Sequence, residues 1–178
     1  MIGPRLFEAT CDATSDIQGH LPRLRDIVIE LGAQVVVELG VRSGRSTVAL
    51  LAGVEQTGGR VWSCDVDAMS LEWVPDEVRS HRQWAFVGSD DLAAVESAPR
   101  PVDVLFVDTS HEYEHTLAEL RAYGPLVRPG GAVVLHDTDE GLWPDCARAV
   151  KDWFDADAPD GARLEFHPGH NGLTIVRL

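Results

Sequence analysis

The chain has 178 residues, 44% hydrophobic and 25% charged, which is room for one sizeable core and too little for two ordinary domains. Its 29 acids against 15 bases leave a formal net charge of -14, a balance that repels a phosphate backbone and argues against nucleic acid as a partner. No apolar run approaches the roughly 20 residues that cross a bilayer, and the N-terminus lacks an apolar leader, so no membrane partner and a cytoplasmic location are expected.

A loose first segment is expected to run to Thr14-Ser15-Asp16, which supplies N-cap chemistry for a helix over 21–31, where Leu21, Leu24, Ile27, Val28 and Leu31 recur at helical spacing. Gly32 ends that helix. β-rich runs then alternate with helical patterns: strands at 34–39, 60–64, 83–87, 102–107 and 132–135, and helices at 45–54, 71–79, 90–97 and 112–123. A helix over 146–154 is followed by 163–167, the turn Pro168-Gly169-His170-Asn171-Gly172, and 173–178, which reads as an antiparallel hairpin. The fold expected is α/β: a Rossmann-like, doubly wound, mostly parallel seven-stranded sheet with a C-terminal antiparallel hairpin. It forms a single domain over 1–178, with an N-terminal lid and helix segment at 1–32 and the core at 33–178. The cysteines Cys11, Cys64 and Cys146 are odd in number and unpaired in pattern, which suits reduced thiols.

The run Val35 to Thr47 reads as a buried strand entering a glycine loop that opens a helix, with Gly40 allowing a sharp turn and Gly44 close packing at the helix start. The loop reads E-x-G-x-x-x-G, not the dinucleotide pattern G-x-G-x-x-G, and Glu38 is expected to face the ligand. A carboxylate there suits a cationic or hydroxyl-bearing ligand better than a pyrophosphate. In an open parallel sheet, ligands bind beyond the carboxyl ends of the strands, and those ends are acidic: Glu38, Asp65, Asp90, Asp108, and Asp137 after His136. Asp65, ending the second strand, can accept hydrogen bonds from both hydroxyls of a ribose.

These residues resemble the class I S-adenosylmethionine-dependent methyltransferases, from Val35 to the terminal hairpin. Glu38-Leu39-Gly40-Val41-Arg42-Ser43-Gly44 resembles the first motif, Asp65 with Val66 the ribose-binding segment, and Gly88-Ser89-Asp90 the loop beside the adenine. The segments 104–114 and 126–137 resemble the branch containing macrolide-sugar and rhamnosyl O-methyltransferases and cephalosporin hydroxylase-like proteins. The resemblance implies a cofactor, S-adenosylmethionine, held by Glu38, Gly40, Ser43, Gly44, Asp65, Val66, Gly88, Ser89, Asp90 and Asp108, with Glu38 acting on the methionine ammonium or its hydrogen-bond network. It implies a small-molecule acceptor methylated on a hydroxyl, of sugar or natural-product type, and leaves a homodimer open. Asp108 and His111 keep the family's Asp-x-x-His spacing, which makes His111 the expected general base, an imidazole near its ordinary pKa of about 6.5. Metal-dependent relatives carry an acidic pair where this chain has His136-Asp137. Either Asp108 and Asp137, joined by Thr138 or Asp139, bind magnesium without His136, or Asp108, His136 and Asp137 bind a softer divalent ion, or no metal binds.

His111-Glu112-Tyr113-Glu114-His115 also satisfies H-E-x-x-H, the zinc-protease signature, but it begins immediately after a buried parallel strand and not inside a long active-site helix, and the protease reading also needs a third downstream ligand. A nicotinamide-dependent oxidoreductase would show a second glycine where Val41-Arg42 stands, and a non-catalytic nucleoside-binding module would need neither Asp108 nor His111. Ser15, Asp16 and His20 resemble the N-terminal lid segment of the family, and Trp143 with Glu140-Gly141-Leu142 is placed to touch an acceptor.

Overall fold

A computed structural model describes residues 1–67 and 71–178. Among them, seven strands form one sheet in the order β3-β2-β1-β4-β5-β7-β6. The strands are β1 (Val35–Leu39), β2 (Arg60–Asp65), β3 (Trp84–Gly88), β4 (Val102–Val107), β5 (Val127–His136), β6 (Arg163–His167) and β7 (Leu173–Arg177). The first five pair in parallel, and β7 runs antiparallel between β5 and β6, as the Pro/Gly/Asn turn requires. The chain leaves β1 outward through β2 and β3 and then returns to β4 on the opposite side of β1. The β1/β4 crevice is therefore the topological switch point.

The helices are α1 (Pro4–Asp12), α2 (Leu21–Glu30), α3 (Arg45–Thr57), α4 (Asp76–Arg79), α5 (Asp91–Ala94), α6 (Tyr113–Tyr123) and α7 (Pro144–Ala156). Period-two alternation along the central strands sorts the core into two layers. On one face Val36, Val104, Phe106 and Val134 pack with Leu24, Ile27, Val28, Leu50, Leu51 and Val54 of α2 and α3. On the other, Val37, Leu39, Leu105, Val107 and Leu135 pack with Leu117, Leu120, Tyr123, Val150 and Trp153 of α6 and α7. Continuous Val-rich runs buried on both faces are the signature of parallel strands, which is why these strands are legible without a partner in view.

Several boundaries differ from the sequence expectation. The first segment is not loose: Pro4 starts a nine-residue helix, whose Leu6, Phe7 and Cys11 rest on the first core layer. Thr14-Ser15-Asp16 does not cap α2, because a 3-10 turn at Gln18–His20 intervenes and the Gln18 side chain takes the Ser15 N–H at 2.7 Å. The helix expected over 71–79 is confined to α4. Strand β5 begins at Val127, five residues early, because Val127 pairs Val102 of β4 ahead of a register shift that brings Ala132 opposite Val104. No described helix is long and apolar enough to cross a membrane.

Candidate functional site

The loop between β1 and α3 depends on three residues in the left-handed region: Gly40 (φ 87), Arg42 (φ 49) and Gly44 (φ 74). At Gly40 a side chain would run into the Asp108 carbonyl oxygen, so the backbones leaving β1 and β4 meet as only glycine allows. Gly40 N–H donates to the Cys64 carbonyl and Asp108 N–H to the Leu39 carbonyl, both at 2.9 Å, tying the ends of β1, β2 and β4 together. Asp65 takes the Val41 and Arg42 N–H groups on one carboxylate oxygen, at 2.8 and 3.0 Å, and the Asp67 N–H on the other at 2.8 Å.

These strand ends open on a cavity of about 960 Å³. Gly40, Ser43, Asp65, Val66, Asp90 and Asp108 line it, as do His111 and Asp137 at the far end and Thr14 to Ile17 from the N-terminal segment. The segment is docked by Arg45, whose guanidinium donates to the Ala13 carbonyl at 3.0 Å, and by an Arg42–Asp16 ion pair at 3.2 Å. Trp73 and Val66, each 77% exposed, stand at the wall as large apolar groups in reach of a ligand. Trp73 is a lone aromatic beyond the second strand, and no periodicity in the sequence marks it as a wall residue.

Glu38 does not face the cavity. Its side chain is fully buried, and its carboxylate accepts from Ser46 Oγ (2.6 Å), Thr47 Oγ1 (2.8 Å) and Ser63 Oγ (2.5 Å). Burial pushes this carboxyl up to about 7 despite the three donors, and Asp108 adds to the rise. Glu38 thus grips the start of α3 from behind the loop, a hydrogen-bond network that the strand pattern alone could not place on the inner side. Gly44, Gly88 and Ser89 likewise lie outside the lining, and Asp90 caps α5 by accepting the Ala93 N–H at 2.9 Å.

At the far end, His111 Nε2 lies 2.7 Å from Asp137 Oδ2 and 3.4 Å from Asp108 Oδ1. Both His111 (φ 59) and Asp137 (φ 55) hold left-handed backbones without being glycine, strain of the kind that clusters at functional sites. The Asp108 and Asp137 carboxylates raise the His111 imidazole to about 9, so the expectation of an ordinary value near 6.5 does not hold in this arrangement. Burial would raise Asp108 and Asp137, but the two imidazoles His111 and His136 outweigh it and leave both lowered. Trp143 packs beside His111 with ring centroids 4.6 Å apart and the planes tilted by 44°.

The donor atoms of Asp108, His111 and Asp137 lie within 4.8 Å of one another, and Asp137 Oδ1 is buried without a hydrogen-bond partner. Two carboxylates and an imidazole with an unsatisfied oxygen fit a divalent ion. In this grouping His111 stands where the sequence reading set His136. His136 Nε2 donates to the His170 carbonyl at 2.8 Å, and its Nδ1 remains 3.3 Å from Asp137 and 3.5 Å from Asp108. His20 is anchored on the same turn, donating to the Gly169 carbonyl at 2.7 Å. The H-E-x-x-H pair does not converge. His111 turns to Asp108 and Asp137, whereas His115, on α6, faces Asp91 and Glu119.

Residues 37–138, more than half of the chain, match the family described as Methyltransferase domain. The chain belongs to that family. Solved structures share the fold of this methyltransferase domain across nearly its whole length. The cofactor-bound Rv0187 from MTB is 18% identical, with 97% of this chain and 88% of that one covered at a TM-score of 0.76. An O-methyltransferase from Bacillus cereus, solved in complex with SAH, is 16% identical over 98% and 88% of the two chains at 0.72. The O-methyltransferase TomG from Streptomyces achromogenes, involved in tomaymycin synthesis and solved with SAM, is 18% identical over 93% and 81% at 0.72. The match covers the strand ends that build the cavity of the methyltransferase domain, from β1 to the residue after Asp137.

Proposed function

We propose that this methyltransferase domain moves the methyl group of S-adenosylmethionine to a hydroxyl oxygen of a small molecule of natural-product or sugar type. The observation that carries the reading is one continuous cavity that joins the glycine loop and Asp65 to the Asp108–His111–Asp137 cluster. Asp65 would turn from the loop N–H groups to the ribose hydroxyls, and Ser43 and Asp90 would flank the nucleoside. The acid-rich wall suits a sulfonium cation. TomG, an O-methyltransferase of similar fold, supports oxygen as the acceptor atom.

In this reading most of the rate comes from alignment, because the sulfonium methyl is already activated and the protein brings it into line with the acceptor oxygen. His111 accepts the hydroxyl proton, and Asp108 and Asp137 stabilise the imidazolium that results. Their charge makes His111 a stronger base while reducing its unprotonated fraction near neutrality. With a divalent ion bound, Asp108, His111 and Asp137 would hold it instead, and the ion would supply a Lewis acid toward the acceptor oxygen in place of the imidazole base.

Calorimetric titration tests the cofactor. S-adenosylmethionine and S-adenosylhomocysteine should bind with one-to-one stoichiometry and NAD should not; the converse would establish a nicotinamide site and sink the proposal.

A further inference from the structure

The histidine that the site above leaves unused has its own setting. His115 Nε2 lies 3.1 Å from Asp91 Oδ2 and 3.8 Å from Glu119 Oε1. The three donor atoms fall within 4.8 Å of one another. Donors on a tetrahedral zinc ion, at about 2.0–2.2 Å from the metal, stand roughly 3.3–3.6 Å apart, so the two separations bracket what an ion would need. Glu119 has no exposed side-chain surface, and its Oε1, aimed at this cluster, has no hydrogen-bond partner; neither has the buried Asp91 Oδ1. An orphaned carboxylate oxygen in a dry position is costly unless a proton or a cation meets it.

We propose that Asp91, His115 and Glu119 form a second site, distinct from the Asp108 cluster, for a divalent transition-metal ion, with zinc the first candidate. The surroundings are built as metal shells usually are. Thr109 Oγ1 donates to Glu119 Oε2 at 2.8 Å and fixes that carboxylate, and Tyr123 OH donates to the Asp91 carbonyl at 2.6 Å and fixes the start of α5 against α6. An imidazole with two carboxylates suits zinc or manganese better than magnesium. Asp91 and His115 also line the cavity, so a fourth coordination position faces the space where a water or ligand can enter, the open arrangement of a reactive site. Burial, reinforced by Asp91, pushes the Glu119 carboxyl up to about 9, so a proton is the competing occupant.

The site stands apart from the proposed methyl transfer, because its readout is metal binding. Chelator-treated full chain carrying Asp137→Asn, which disables the first cluster, is titrated with Zn²⁺ by calorimetry. One equivalent should bind at micromolar dissociation constant or tighter, and adding Glu119→Gln should weaken it at least thirtyfold, with Asp91→Asn as a second route should the first variant melt early in circular dichroism. A flat titration leaves the proton as sole occupant and overturns the proposal. So does binding that survives Glu119→Gln or Asp91→Asn within threefold, which would mark adventitious surface histidines.

Discussion

Glu38 is a carboxyl with no exposed surface in the middle of a sheet, and its cost is set by pH. Its unfolded value is near 4.5 and its native value about 7, so between the two the native chain holds a proton that the unfolded chain has lost. Stability therefore falls as pH rises through that window and levels off above about 7. Relative to Glu38→Gln, which cannot ionise, the natural chain should lose roughly 2–3 kcal/mol between pH 5 and pH 8. Urea unfolding of both proteins at the two pH values measures it, and parallel curves would show that the three hydroxyl donors outweigh burial. His111 makes a different prediction. His111→Ala should lower turnover by about a hundredfold or more while S-adenosylmethionine affinity stays within about threefold, since the ring lines the cavity at the end proposed for the acceptor. Undiminished turnover with intact cofactor binding would remove it from the mechanism.

At the level of elements, the turn from β1 into α3 is the most constrained joint. Gly40→Ala combines a φ of 87 with collision against the Asp108 main chain, which cannot move without unzipping β4 from β1. Gly44→Ala meets only the Val74 side chain, at 3.1 Å, which can give. The first change should cost on the order of 3 kcal/mol or more and the second visibly less, although both carry left-handed strain. Thermal melts of the two variants check the order, and equal losses would show that strain, not contact, decides. The central strands β1, β4 and β5 were legible because parallel strands buried on both faces are continuous in Val and Leu, and the strand ends were legible because the switch point must lie beyond them. What stayed hidden depended on neighbours distant in sequence. Pro4 after Gly3 signals a helix start, but the nine-residue helix is shorter than the roughly 11–18 residues over which a helical period is read. Nothing local tells that Ser63 reaches Glu38, or that Glu119, one α6 position among several, faces Asp91 and not solvent. Nor does spacing show that His111 and His115 part company, because His111 lies in the left-handed loop before the helix and His115 inside it.

Across the whole molecule, the charge is concentrated where the ligand is proposed to bind. The cavity wall carries Asp16, Asp65, Asp67, Asp90, Asp91, Asp108 and Asp137 against Arg42, Arg45 and a His111 imidazole that its carboxylate neighbours hold largely protonated near neutrality, in a chain of formal net charge -14. A concave, acid-lined wall focuses its field outward and draws in cations. S-adenosylmethionine carries a sulfonium that S-adenosylhomocysteine lacks, so the two probes differ by one charge with nearly the same shape. Salt screens that charge over about 10 Å at 0.1 M and about 3 Å at 1 M. Raising sodium chloride from 0.05 to 0.5 M should therefore weaken S-adenosylmethionine by about threefold or more and S-adenosylhomocysteine by clearly less, read as dissociation constants from calorimetry. The same difference should appear in melting: at a ligand concentration 100 times its dissociation constant each probe stabilises the fold by about 2.7 kcal/mol, and added salt at fixed ligand should erode that gain faster for the sulfonium. Equal salt dependence for the two would mean that the acids on the wall are neutralised before the cofactor arrives, by protons or by bound cations, and that the long-range field has no part in its capture.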